Sequence, residues 1–289
     1  MGVSNRPFRF YDNRQKYLGF VNTCDEKWQV GKRCALELRD LIPKPPALRV
    51  FDAGMGDGTV LTHIMRAMHR EFPTIPFFIV GKEISLEDVR LSLDKLPDRF
   101  VEHPATTMVF TNLFYAEAPW LKPNKLNKQT DVNWIQVTLK GDTAHGFGEQ
   151  LRNLDEQLID GWQVKASERS GNPIYVKPTV LVIYREDQKF ILNDIIPRYG
   201  KERSGNYDLI VISQPWRARM DADFKVKRIL APLVKSLAKG GKALVFQSIG
   251  GDPGMDIVRN IWPDEDPFEV DRHSLIKTLK SYLGNEKDE

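Results

Sequence analysis

Cysteine is nearly absent: the 289-residue chain has two, Cys24 and Cys34. Two thiols cannot make the disulfide framework that staples small secreted domains, so a reducing compartment is expected. Histidine is almost as sparse. Its five positions, His63, His69, His103, His145 and His273, are scattered without Cys-x-x-Cys or His-x-x-x-His spacing, so no metal site is expected. Long apolar runs are lacking too. Stretches such as 77–80 and 180–184 fall far short of the roughly 20 residues that cross a bilayer, and residues 1–10 lack the apolar core of a secretory signal. The expectation is a cytoplasmic protein with no membrane partner. An excess of one charge is also missing: 42 Lys and Arg against 39 Asp and Glu leave a net +3, which neither demands nor excludes a polyanionic partner.

What is present is an ordinary globular composition, 41% hydrophobic and 28% charged, in a chain long enough to bury a sizeable core. Gly31, Cys34, Ala35, Leu38 and Leu41 recur at helical spacing within 11–40, and the prolines at 43, 45 and 46 stop the helix. Strands at 48–52, 77–80 and 107–113 then alternate with helices at 59–72 and 85–96. Ser85 starts the second of these helices and Pro97 follows its end. Between 119 and 205 the pattern changes: strands at 134–139 and 179–185 flank a helix at 147–162, followed by a polar, Gly/Pro-punctuated stretch at 165–178. A buried strand at 207–213, a helix at 223–239 ended by Gly240 and Gly241, a strand at 242–248 and helices at 256–262 and 274–283 complete the chain. The expected fold is α/β, a doubly wound, mostly parallel sheet. It divides into an N-terminal helical cap (1–46), a first half of the core (47–118), an inserted α+β segment beside the sheet (119–205) and a second half of the core (206–289).

The chemistry is concentrated where the first strand ends. Asp52 is followed by Gly54, Gly56 and Gly58 in a tight turn that opens a helix. Glycine there lets a ligand approach the backbone and leaves N–H groups free beside it. A dinucleotide fingerprint, Gly-x-Gly-x-x-Gly/Ala, fails at its last position, which is Thr59. Carboxylates at Asp52 and Asp57 would also repel a pyrophosphate. Glu83 stands just past the second strand, placed to accept both hydroxyls of a ribose.

The pattern Asp52-x-Gly54-x-Gly56-x-Gly58 after an apolar strand, with Glu83 ending the next strand, resembles class I (Rossmann-like) S-adenosylmethionine (SAM)-dependent methyltransferases. The resemblance covers roughly 48–113 and 207–248. It implies SAM as cofactor and S-adenosylhomocysteine as product, with the loop residues Gly54, Gly56, Asp57 and Gly58 around the cofactor, Asp52 near its methionine ammonium group and Glu83 on its ribose. Asn112, ending the third strand, reads equally as an adenine contact or as a polar strand end. Ser213-Gln214-Pro215-Trp216 partly resembles the Asp/Asn/Ser-Pro-Pro-Tyr/Trp motif of amino-group methyltransferases, with Gln214 in place of the first proline. Ser213, Trp216 and Asp12 are the catalytic candidates; Asp12, Ser213 and Asp252 are also the groups considered as proton acceptors. Tyr11, Gln214, Arg217, Arg219 and Asp252 are candidates for binding the acceptor, the two arginines as clamps for a carboxylate or phosphate or simply as solvated side chains. The resemblance has one departure. A sixth strand and an antiparallel seventh usually close this class, and none follows 242–248; either they are missing or strands of the 119–205 segment replace them. The expected function is methyl transfer from SAM to a small-molecule acceptor. The alternatives are a nucleic-acid or protein amino group as acceptor, a nicotinamide-dependent oxidoreductase, and a SAM-binding protein without activity.

Overall fold

The structure, a computed structural model, describes residues 26–123, 132–168, 173–200, 205–213, 215–216, 220–247, 249, 251, 256, 260, 263, 268 and 270–284. A seven-stranded sheet organises them: β1 (Leu48–Ala53), β2 (Phe77–Lys82), β3 (Thr106–Thr111), β4 (Asn133–Leu139), β7 (Thr179–Arg185), β8 (Tyr207–Ser213) and β9 (Leu237–Phe246). A separate hairpin pairs β5 (Val164–Ala166) with β6 (Pro173–Tyr175). The order across the main sheet is β4-β7-β3-β2-β1-β8-β9. From β3 to β9 all neighbours are parallel. The chain builds outward in one direction from β1 to β2 and β3, then returns to lay β8 on the other side of β1. That reversal opens a crevice at the carboxyl ends of β1 and β8, where open α/β sheets bind ligands.

The apolar runs explain the central strands. Every residue of β2 is buried, as is every residue of β3 and β7, because helices cover both faces of the sheet. One face packs Val50, Ile79, Met108 and Leu209 against α1 (Glu26–Leu38) and α2 (Thr59–Glu71), through Cys34, Leu38, Leu61, Ile64 and Met68. The same core includes residues of α3 (Leu86–Leu93), α4 (Pro97–Glu102), α5 (Ala144–Arg152) and α6 (Asp155–Gly161). The other face packs Phe51, Val80, Val109 and Ile210 against α7 (Lys189–Leu192), α8 (Ala222–Lys225), a π-helical turn (Val226–Leu230), α9 (Ala231–Lys235) and α10 (Arg272–Gly284). Each fully buried Leu, Ile or Phe contributes about 1.5–3 kcal/mol, so the two layers hold the sheet between them. Among the described residues no helix is long and apolar enough to cross a membrane.

Several boundaries differ from the sequence expectation, each for a local reason. Ser85 caps α3 by accepting a bond from the Asp88 N–H, but that helix ends at Leu93, and Pro97 opens α4 rather than closing α3. Proline has no N–H to donate, which suits a first helical turn. The helix expected over 147–162 is two, α5 and α6. The strands of the 119–205 segment join the main sheet instead of lying beside it. They add to the β3 edge, with β7 antiparallel to β3 and β4 parallel to β7, and no strand extends the sheet beyond β9 among the described residues. The helix expected over 223–239 is broken by the π-helical turn and stops at Lys235. Pro232 explains the widening, since its missing N–H and its ring disturb the bond to the carbonyl four residues earlier. Of the expected helix at 11–40, residues 11–25 lie outside the described residues.

Gly240 and Gly241 are expected to end a helix; they lie within β9 instead. The register jumps there, from Tyr207 opposite Leu237 to Leu209 opposite Lys242. A Cβ on Gly241 would sit 2.5 Å from the Tyr207 carbonyl oxygen, so glycine is needed for backbone approach at a bulge. Gly241→Ala is therefore expected to cost about 1–3 kcal/mol, measured by urea unfolding. Gly240, at φ +87°, is sensitive in either role; a helix-end role would predict tolerance at Gly241.

Candidate functional site

The glycine turn after β1 lies at the crevice. Gly54, Gly56 and Gly58 have φ of +91°, +57° and +74°, a region that side chains disfavour. A Cβ on Gly54 would lie 3.6 Å from the Ser213 carbonyl oxygen and 3.7 Å from Pro215, so the turn abuts the end of β8; a Cβ on Gly58 would meet Ser92 at 2.7 Å. A Cβ on Gly56 would meet nothing within 4 Å among the described residues. The turn is tied to β2: the Lys82 carbonyl accepts from the N–H groups of both Gly54 and Met55, each at 3.1 Å.

Asp52 is 1% exposed, and its Oδ2 is enclosed without a hydrogen-bond partner among the described residues. Burial pushes its pKa up to about 7, and the neighbouring Glu83 carboxylate adds to the rise. Glu83 is satisfied by comparison. Its Oε2 accepts from the Gly56 N–H at 2.9 Å, and its Oε1 accepts from Ile84 and Ser85 N–H groups at 2.8 Å each. Of the two oxygens, Oε2 is the one with an acceptor position left. Trp162, at the end of α6, donates its indole N–H to the Glu83 carbonyl at 2.9 Å, so the 119–205 segment braces the site.

Asp57 is tied into the surrounding structure. Its carboxylate pairs with Lys27 of α1 and with Lys95, both at 2.9 Å, and accepts from the Thr59 N–H and hydroxyl at the start of α2. Burial alone would raise its pKa, but the Lys27 and Lys95 bonds hold it well below the usual carboxylate range. Asn112 is likewise committed to structure. Its amide donates to the carbonyls of Gly161 at 2.9 Å and Lys177 at 3.0 Å, and its Oδ1 accepts from the Thr179 N–H at 2.8 Å. Both amide hydrogens and Oδ1 are engaged in pinning the end of β3 to the start of β7, and the residue is 1% exposed, so an adenine amino group has no open path to it.

Ser213 ends β8, and Trp216 packs half-buried against the core of the second face. Tyr11, Asp12, Gln214, Arg217, Arg219 and Asp252 lie outside the described residues. The structure thus brings together Asp52, the glycine turn, Glu83 and Ser213, while the contacts of Trp216 are with the second face of the sheet. It also adds two residues that sequence reasoning missed. Lys82, 8% exposed, holds its ammonium 4.7 Å from the centre of the Tyr115 ring, and the Tyr115 hydroxyl donates to the Pro215 carbonyl at 3.1 Å. The missed signal was a lysine closing an otherwise apolar strand; ending that strand at Val80 hid it. No group of three or more His, Cys, Asp or Glu that could hold a metal exists among the described residues.

Two outcomes check this geometry. The folded-state pKa of Asp52 lies above its ordinary 3.8, so the native state keeps a proton that the unfolded state has released. Stability is therefore expected to fall as the pH rises from about 4 to about 7, by at most about 4 kcal/mol, and to level off above that. Asp52→Asn removes this component, and unfolding curves across that range compare the two proteins. Asn112→Ala is expected to cost about 1–3 kcal/mol of stability with SAM affinity unchanged; an adenine-contacting Asn112 would show the reverse.

Comparison of the chain with models of known protein families, and with curated proteins, finds no match.

Proposed function

We propose that the chain is a SAM-dependent methyltransferase acting on a small-molecule acceptor. One observation carries this: at the sheet's switch point, beside a turn of three left-handed glycines, a carboxylate oxygen of Asp52 is buried without a partner among the described residues. An enclosed acceptor left empty costs stability, and an ammonium group from a ligand is the partner it lacks. The aminoacyl end of SAM carries that ammonium.

The residues present fit the cofactor at three points. Asp52 would hold the ammonium group. The free acceptor position on Glu83 Oε2 would take a ribose hydroxyl. The space beside Gly56 would admit the ligand's body. Asn112 does not fit an adenine contact. SAM supplies a methyl group already activated on a sulfonium, so what falls to the chain is to bind, to orient and to exclude water. The buried walls suit that role, since Asp52, Lys82 and Glu83 are each at most 9% exposed. Enclosed polar groups of this kind receive a compact acceptor rather than the surface of a polymer. The nicotinamide reading loses support, because the Asp57 carboxylate takes the Thr59 N–H at the start of α2. A pyrophosphate seated there would meet a negative charge.

Calorimetric titration with SAM tests the proposal. Asp52→Ala and Glu83→Ala are each expected to weaken binding about tenfold or more, the loss of a charge-assisted hydrogen bond. Unchanged affinity in both variants would remove the cofactor assignment.

A further inference from the structure

Lys82 closes β2, opposite Ala53 of β1 and Thr111 of β3. Strand alternation turns its side chain from the Gly81 side to the face carrying Phe78 and Val80. Glu83 is adjacent in sequence, yet three backbone N–H groups hold that carboxylate, and no ion pair joins it to Lys82. The close partner of the Lys82 ammonium is the face of the Tyr115 ring. A ring face attracts a cation but accepts little of its hydrogen bonding, so the ammonium donors stay unfilled by the described residues. Burial lowers the pKa of this group while Glu83 raises it.

An ammonium group removed from water without acceptors is costly. Lys82 Nζ is nevertheless not one of the fully enclosed, unpartnered atoms, which among the described residues are Asp52 Oδ2, His63 Nδ1 and Thr107 Oγ1, and the residue keeps 8% of its surface exposed. A line of contacts leads from it to the end of β8. Tyr115 bonds to the Pro215 carbonyl, and the next residue, Trp216, carries the Lys225 ammonium 5.7 Å from its ring centre. Lys225 is 2% exposed. Two buried ammonium groups therefore rest on aromatic rings along one side of the switch point. Asp52 extends from the opposite face of the sheet, the one carrying Leu48 and Val50. The group that seeks a cation and the group that seeks an anion are thus divided between the two faces.

We infer that Lys82, backed by Tyr115, is the receptor for an oxyanion on the methyl acceptor, which is therefore a small acid carrying a carboxylate or a phosphate. The assignment to an acceptor rests on the methyltransferase function proposed above; the oxyanion site itself does not.

The test uses inorganic phosphate and acetate as probes, by calorimetry, on the full chain and on Lys82→Met. The wild type is expected to bind at least one probe, the tighter one giving the acid's class, and the variant to lose about tenfold or more in that affinity. Affinity for S-adenosylhomocysteine is expected to stay within about twofold in the variant. Lys82→Met should also raise Tm, since it removes a buried cation without acceptors. Equal probe binding by both proteins, or by neither, overturns the inference. So does a tenfold loss of S-adenosylhomocysteine affinity, which would give Lys82 to the cofactor's own carboxylate. A variant that fails to fold overturns it as well, because Lys82 would then be a structural group. Asp52→Ala, titrated in parallel with S-adenosylhomocysteine, separates failure of the cofactor site from failure of the oxyanion site.

Discussion

The site depends on how the glycine turn is held by the end of β2. Two N–H groups of the turn, from Gly54 and Met55, converge on the Lys82 carbonyl, and a third, from Gly56, reaches Glu83 Oε2. Left-handed glycines alone would leave the turn with many conformations. These three bonds select one, and they do so with groups from the neighbouring strand, so the turn inherits the rigidity of the sheet. Trp162 adds a second layer by holding the Glu83 carbonyl from α6. The 119–205 segment is therefore part of the scaffold that sets the site.

Given that scaffold, the charged residues divide into two sets. Asp57 has Lys27, Lys95 and the start of α2, and Asn112 has three backbone partners. These are satisfied groups, and their work is structural. Asp57 in particular binds α1 to the glycine turn, which explains why a carboxylate is tolerated among the glycines. Asp52 and Lys82 form the other set: buried, oppositely charged, on opposite faces of the sheet, and without hydrogen-bonding partners among the described residues for Asp52 Oδ2 and the Lys82 ammonium. Tertiary structure usually removes such costs. Where it leaves them on either face of one switch point, ligand binding is the simplest explanation.

Much of the core was legible because apolar runs entering a glycine turn have few other uses. The strands at 48–52, 77–80 and 207–213 and the helical face of Val60, Leu61, Ile64, Met65 and Met68 all lie where their pattern placed them. The direction and place of β7 were not legible. A fully buried strand carries the same apolar run whether parallel or antiparallel, and its pairing with β3 is fixed by contacts such as Thr111 Oγ1 to the Thr179 carbonyl, which no local pattern encodes. Asn112 shows the same limit within the site: a polar strand end looks identical whether it faces a ligand or pins another strand. Lys82 was hidden by a boundary placed two residues early. Gly240 and Gly241 misled in another way, since paired glycines after a helix suit a C-terminal cap and a strand bulge equally.

The distribution of unsatisfied groups bears on function more than any single motif. The enclosed side-chain atoms without partners are three among the described residues, and one of them is a carboxylate oxygen, on Asp52. A chain selected for stability alone would not keep that oxygen empty while the adjacent Glu83 collects three N–H groups. Two carboxylates a few residues from one turn could have shared those donors. Instead Glu83 takes three N–H groups in shaping the turn while Asp52 Oδ2 is left without a donor, and burial, with the Glu83 charge beside it, raises the Asp52 pKa. The asymmetry makes sense if Glu83 builds the site and Asp52 waits for a cation from outside the chain, which is the exchange of stability for binding that functional sites make.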